Sequence, residues 1–97
     1  MTVKELKATI DHAKPPPELG PLLQSLWYDA KGDWESAHNI AQDVNSDYGS
    51  WVHAYLHRKE GDNGNASYWY HRAKRQMPTY ALEKEWEEIT AYFLKGK

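Results

Sequence analysis

Two stretches of this chain, "KGDWESAHNIAQDV" (31–44) and "EGDNGNASYWYHRA" (60–73), align without a gap, Gly32 on Gly61, Asp33 on Asp62 and Ala37 on Ala66, 29 residues apart. In each, a glycine able to close one helix precedes an aspartate able to cap the next. Helix, Gly-Asp turn, helix is therefore written twice. A period of this length belongs to stacked helical hairpins, since one hairpin alone cannot bury its apolar face. No stretch alternates with a period of two for long enough to form a strand, so the expected fold class is all-α.

The other segments fit around those hairpins. Thr2 and Glu5 form a capping box, and Val3, Leu6 and Ile10 follow at helical spacing, which predicts an N-terminal helix over 2–13. Pro15, Pro16 and Pro17 make 14–18 an extended linker. In repeat 1 (19–45), Leu19, Leu22, Leu23, Leu26, Trp27 and Ala30 share one face of the first helix. Trp34, Ala37, Ile40, Ala41 and Val44 line the second. Repeat 2 (47–78) begins after a cap at Ser46 or Asp47, with Tyr48, Trp51, Val52, Tyr55 and Leu56 on one side up to Glu60. Ala66, Trp69, Tyr70, Ala73 and Met77 then form the clearest helical stripe, which Pro78 is expected to end. Thr79 is the predicted cap of a last helix over 79–95, where Leu82, Trp86, Ile89 and Phe93 share a face. Glu83, Lys84, Glu85, Glu87 and Glu88 largely face water there, as in a helix covering the edge of a stack.

Gly61, Asp62, Ala66, Tyr70, Ala73 and Pro78 match the spacing of the turn and second helix of a tetratricopeptide repeat (TPR), and "NASYWYHRA" also resembles the Sel1-like variety. The span from "KGDWESAH" to "YWYHRA" is similar to small bacterial proteins of uncharacterised function. The resemblance implies a short TPR-like antiparallel hairpin stack of two repeats with flanking N- and C-terminal helices. It further implies that the first helix of each unit lines a concave surface. That places Tyr48, Trp51, Tyr55, Arg58 and Lys59 on the surface from repeat 2, and Leu22, Leu26 and Asp29 from repeat 1. Such repeats hold apolar or aromatic residues where this chain has His53 and His57. Either helix 48–60 is buried on two faces, or the concave-face assignment fails.

A chain of 97 residues forms one domain with a small core. Five Trp and seven Tyr against one Phe mean that most aromatic rings carry a polar tip needing a partner, a chemistry suited to grooves and interfaces. With no cysteine, thiol catalysis, disulfides and thiolate metal sites are excluded. A net charge of −2 provides no basic field, so neither nucleic acid nor an anionic membrane is the expected partner. "MTVKELKATIDHAK" lacks an apolar run of signal-peptide length and no segment reaches a bilayer span, so the expected location is cytoplasmic.

No phosphate-binding loop or nucleophile elbow is present, and the expectation is a non-enzyme without a cofactor. The primary reading is a protein-interaction module. A protein or peptide partner would meet the aromatic and basic face of Tyr48, Trp51, Tyr55, Arg58 and Lys59. Self-association as a homodimeric structural protein is an alternative, because two-repeat stacks leave apolar ends. A different alternative starts from His53 and His57, one helical turn apart, with Glu60 near their face and His38 or His71 as a further donor. Together they suit a metal or small polar ligand, although the motif lacks the glutamate of zinc peptidases. Against it stands packing of both imidazoles in the seam between helices 48–60 and 64–76, with local hydrogen bonds.

Overall fold

The turn duplicated in the sequence is duplicated in three dimensions. Gly32 and Gly61 both take left-handed backbone conformations (φ 94° and 89°), which cost glycine little. Asp33 N–H then donates to the Tyr28 carbonyl at 2.9 Å and Asp62 N–H to that of His57 at 3.0 Å. Each aspartate caps the following helix, Asp33 accepting from Ser36 N–H at 3.1 Å and Asp62 from Asn65 N–H at 3.2 Å. Ala37 and Ala66 sit fully buried at equivalent positions one turn later, where a small side chain lets paired helices approach.

The computed structural model describes residues 1–95. They form α1 (Val3–Lys7), α2 (Pro21–Ala30), α3 (Trp34–Gln42), α4 (Asp47–Glu60), α5 (Asn63–Arg72) and α6 (Leu82–Lys95), with no strand among the described residues. The fold is all-α. Helices α2 and α3 make the first hairpin and α4 and α5 the second, while α6 crosses to touch α1, α2 and α4. None of these helices is long and apolar enough to cross a membrane.

Helix α4 is the axis of the assembly. Ser46 caps it by accepting from Gly49 N–H at 3.1 Å. A Cβ at Gly49 would lie 1.9 Å from the Val44 carbonyl oxygen, so the turn from α3 into α4 closes only over glycine. From Gly49 to Leu56 every residue of α4 is buried. The helix is thus enclosed on two faces, one toward α2 and α6 and the other toward α3 and α5.

Three boundaries differ from the periodicity. Helix α1 stops at Lys7 instead of extending to residue 13, because Thr9, Ile10 and His12 switch to i→i−3 backbone bonds and the Thr9 hydroxyl donates to the Leu6 carbonyl. That hydroxyl also accepts from Trp27 Nε1 at 3.0 Å, tying the segment to α2. Helix α5 ends at Arg72, well before Pro78, where Lys74 turns left-handed (φ 61°) and Arg75 N–H closes onto the Tyr70 carbonyl. Helix α6 starts at Leu82, three positions after Thr79.

The largest correction concerns Glu85. Instead of facing water it is fully buried, because α6 lies across the hairpins and not at their rim. Trp86 anchors the crossing by donating Nε1–H to the Leu26 carbonyl at 2.9 Å, and Lys7 pairs with Glu87 to bring α1 alongside.

Candidate functional site

The expected contact face is largely internal. Trp51 and Tyr55 retain 4% and 2% of their surface. The Tyr55 hydroxyl donates to Asp29 Oδ2 at 2.9 Å, and Lys59 Nζ donates to the other oxygen of the same buried carboxylate at 2.9 Å. Arg58 Nη1 donates to Glu85 Oε1 at 2.8 Å, and the Tyr70 hydroxyl meets that carboxylate at 2.7 Å. Burial above all, reinforced by these carboxylates, pushes the Tyr55 and Tyr70 hydroxyl pKa values far up. Leu26 and Asp29 are buried as well. The face of α4 that the resemblance implied would be open is instead covered in part by α6. Of the five residues, Tyr48 alone remains a prominent surface aromatic, at 47% exposure.

Tyr48 borders an open groove of about 550 Å³, lined chiefly by Leu22, Leu23, Val44, Tyr48, Tyr92 and Phe93. The hydroxyls of Tyr48 and Tyr92 meet at 3.3 Å on its rim. That hydrogen bond is the main cause raising the Tyr48 pKa. Lys95 also lines the groove, and the guanidinium of Arg75 lies over the Trp51 ring at 3.4 Å, 5.7 Å from the centre of the Tyr92 ring. Periodicity could not show this groove, because Tyr92 lies off the apolar stripe of the last helix.

On the opposite side of α4 the histidines converge. One ring nitrogen from each of His38, His53 and His57 lies within 4.8 Å of the other two. The His38 and His53 Nε2 atoms are 2.9 Å apart. His57 Nδ1 lies 2.6 Å from Glu60 Oε1, so Glu60 orients His57 from outside the cluster. His71, the other donor weighed from sequence, is exposed on α5. Trp34 stacks on His38 (4.8 Å between ring centres, 15°) and Trp69 on His53 (4.1 Å, 25°), making walls that the spacing of the histidines did not reveal. Trp34 is itself fixed by donating Nε1–H to the Leu56 carbonyl at 2.8 Å. Burial, followed by the nearness of His38 and His57, lowers the His53 pKa to about 4, and burial lowers that of His38. Two ring nitrogens face each other across a distance at which only one can carry a proton, leaving a lone pair on the other.

Comparison of the chain with protein-family models, with curated proteins and with solved structures finds no match in any of the three.

Proposed function

We propose that this protein is a non-catalytic interaction module, a TPR-like pair of hairpins that docks a short amphipathic segment of a partner protein in the Tyr48–Tyr92 groove. The groove itself carries the reading: about 550 Å³ of open, mainly apolar space bordered by two tyrosines that remain 47% and 44% exposed. A recess of that size takes one or two large apolar side chains, and tyrosine rims combine apolar area with a polar tip. Lys95 and Arg75 near the groove favour acidic residues flanking those anchors. The setting assumed is cytoplasmic, with which a chain free of cysteine is compatible.

A displayed library of random peptides, selected on the folded protein and followed by chemical-shift mapping, tests this. Expected are ligands with apolar anchors and acidic flanks that perturb Leu22, Val44 and Phe93, and that Leu22→Glu and Tyr92→Ala release while the helical signal is kept. Ligands mapping elsewhere, or none after selection, overturn the reading. A second copy of this chain is the other occupant the groove admits. A concentration-dependent dimer abolished by Leu22→Glu would replace the peptide by self-association.

A further inference from the structure

We propose that His38, His53 and His57 form a binding site for one borderline divalent transition-metal ion, zinc in the first instance, between α3 and α4. This site is separate from the groove and independent of what docks there.

The ligand set is assembled by the fold. His53 and His57 are one turn apart on α4 and therefore share a face, and the α3–α4 packing brings His38 from the neighbouring helix to the same point. A tetrahedral ion with Zn–N bonds of about 2.0–2.1 Å requires nitrogen pairs about 3.3 Å apart. The Nε2 atoms of His38 and His53 stand at 2.9 Å, and one nitrogen of each of the three rings lies within 4.8 Å of the other two. Small side-chain rotations separate the first pair and draw in the third.

The surroundings match those of a ligand set better than those of plain packing. Metal-bound imidazoles usually give their second ring N–H to a carboxylate or carbonyl, which sets the tautomer and the ring angle. Glu60 occupies that position on His57, accepting from Nδ1–H, which leaves the Nε2 lone pair free for an ion. Trp34 and Trp69 clamp the other two rings by stacking, and Trp34 is held in turn by the Leu56 carbonyl. Ordinary packing accounts for one N···N hydrogen bond among three converging imidazoles, whereas an ion uses a lone pair from each.

The chemistry of the donors selects the class of ion. Neutral imidazoles without thiolate or a coordinating carboxylate suit Zn²⁺, Cu²⁺, Ni²⁺ and Co²⁺ and discriminate against Mg²⁺ and Ca²⁺, which need oxygen. Three protein ligands leave a further position for water or an exchangeable anion.

Titration of tag-free, chelator-stripped protein with Zn²⁺, in competition with a chromophoric chelator, tests the site, and Co²⁺ absorption reports the ligand field. One equivalent is expected, with intense visible cobalt bands. His38→Gln and His57→Gln should abolish both, and Glu60→Gln should weaken zinc about 10- to 100-fold. His12→Ala and His71→Ala should leave both unchanged. Both decisive variants alter only partly buried side chains, so the folded state can be verified by circular dichroism before titration. His53→Ala, at a buried position, is not needed for the decision. Absence of stoichiometric binding at micromolar zinc overturns the site. So does binding that survives His38→Gln in folded protein, or binding lost with His71.

Discussion

Removing the Arg58 guanidinium should show what holds α6 in place. Glu85 is buried to 1% of its side-chain surface and Arg58 to 13%, with 2.8 Å between them. Arg58 Nη2 also donates to the Tyr80 carbonyl, fastening the segment that leads into α6. Breaking a buried ion pair from one side leaves an uncompensated charge and typically costs about 3–5 kcal/mol. The carboxylate in Arg58→Ala keeps the Tyr70 hydroxyl at 2.7 Å and a longer contact from Trp51 Nε1 at 3.4 Å. The lower end, about 3 kcal/mol, is therefore expected. In a domain of this size that is a fall in Tm of about 12–24 °C. Adding Glu85→Gln removes the orphaned charge, so the double variant should be more stable than the sum of the single losses predicts, by about 1–2 kcal/mol. Urea unfolding of all four proteins, followed by circular dichroism and tryptophan fluorescence, measures both quantities. A loss below about 1 kcal/mol, the value of an exposed pair, would refute this argument, as would strict additivity.

Other outcomes follow from the same structure. In chelator-treated protein, the His53 pKa of about 4 lies below its ordinary 6.5, so protonation favours the unfolded chain. The linked stability is fully present above about pH 6.5 and is lost as pH falls toward 4, by at most about 3 kcal/mol. Chemical unfolding at pH 7.5 and 4.5, with His53→Gln expected to flatten part of the difference, measures it. Gly49→Ala should destabilise strongly, because the new Cβ meets the Val44 carbonyl at 1.9 Å and backbone must move. A melting point within a degree or two of the parent would show that the turn relaxes freely. Asp33→Ala and Asp62→Ala should each cost about 1 kcal/mol, as helix caps do, with nearly equal losses because their turns are equivalent. Thermal unfolding of the two variants side by side checks that equality.

The hairpins were legible because their signals are local. Gly32-Asp33 and Gly61-Asp62 specify a left-handed residue followed by a cap, and neither depends on distant partners. The long apolar stripe of α5 was legible for the same reason, but its end was not. Lys74 adopts a conformation that favours glycine, and Pro78 advertised a later stop. Glu85 shows the wider limit: its polarity indicates water, and only the crossing of α6 brings Arg58 and Tyr70 to meet it. The same crossing covers Trp51 and ties down Arg58, Tyr55 is buried against Asp29 of α2, and Lys59 stays exposed while paired with that carboxylate. At the histidines, His53 and His57 could be paired from their spacing. His38 joins them because α3 and α4 pack side by side, and Trp34 and Trp69 become walls through that packing alone.

Helix α6 also limits the length of this architecture. In an open stack, another hairpin can be added wherever one ends, because each unit needs only its neighbour. Here the last helix must reach back to Leu26 through Trp86 while lowering Glu85 between Arg58 and Tyr70. A third hairpin inserted after Pro78 would carry α6 away from both anchor points at once. Within the described residues, α6 thus fits two hairpins and no more, its spacing from Leu26, Arg58 and Tyr70 setting the number it can cover.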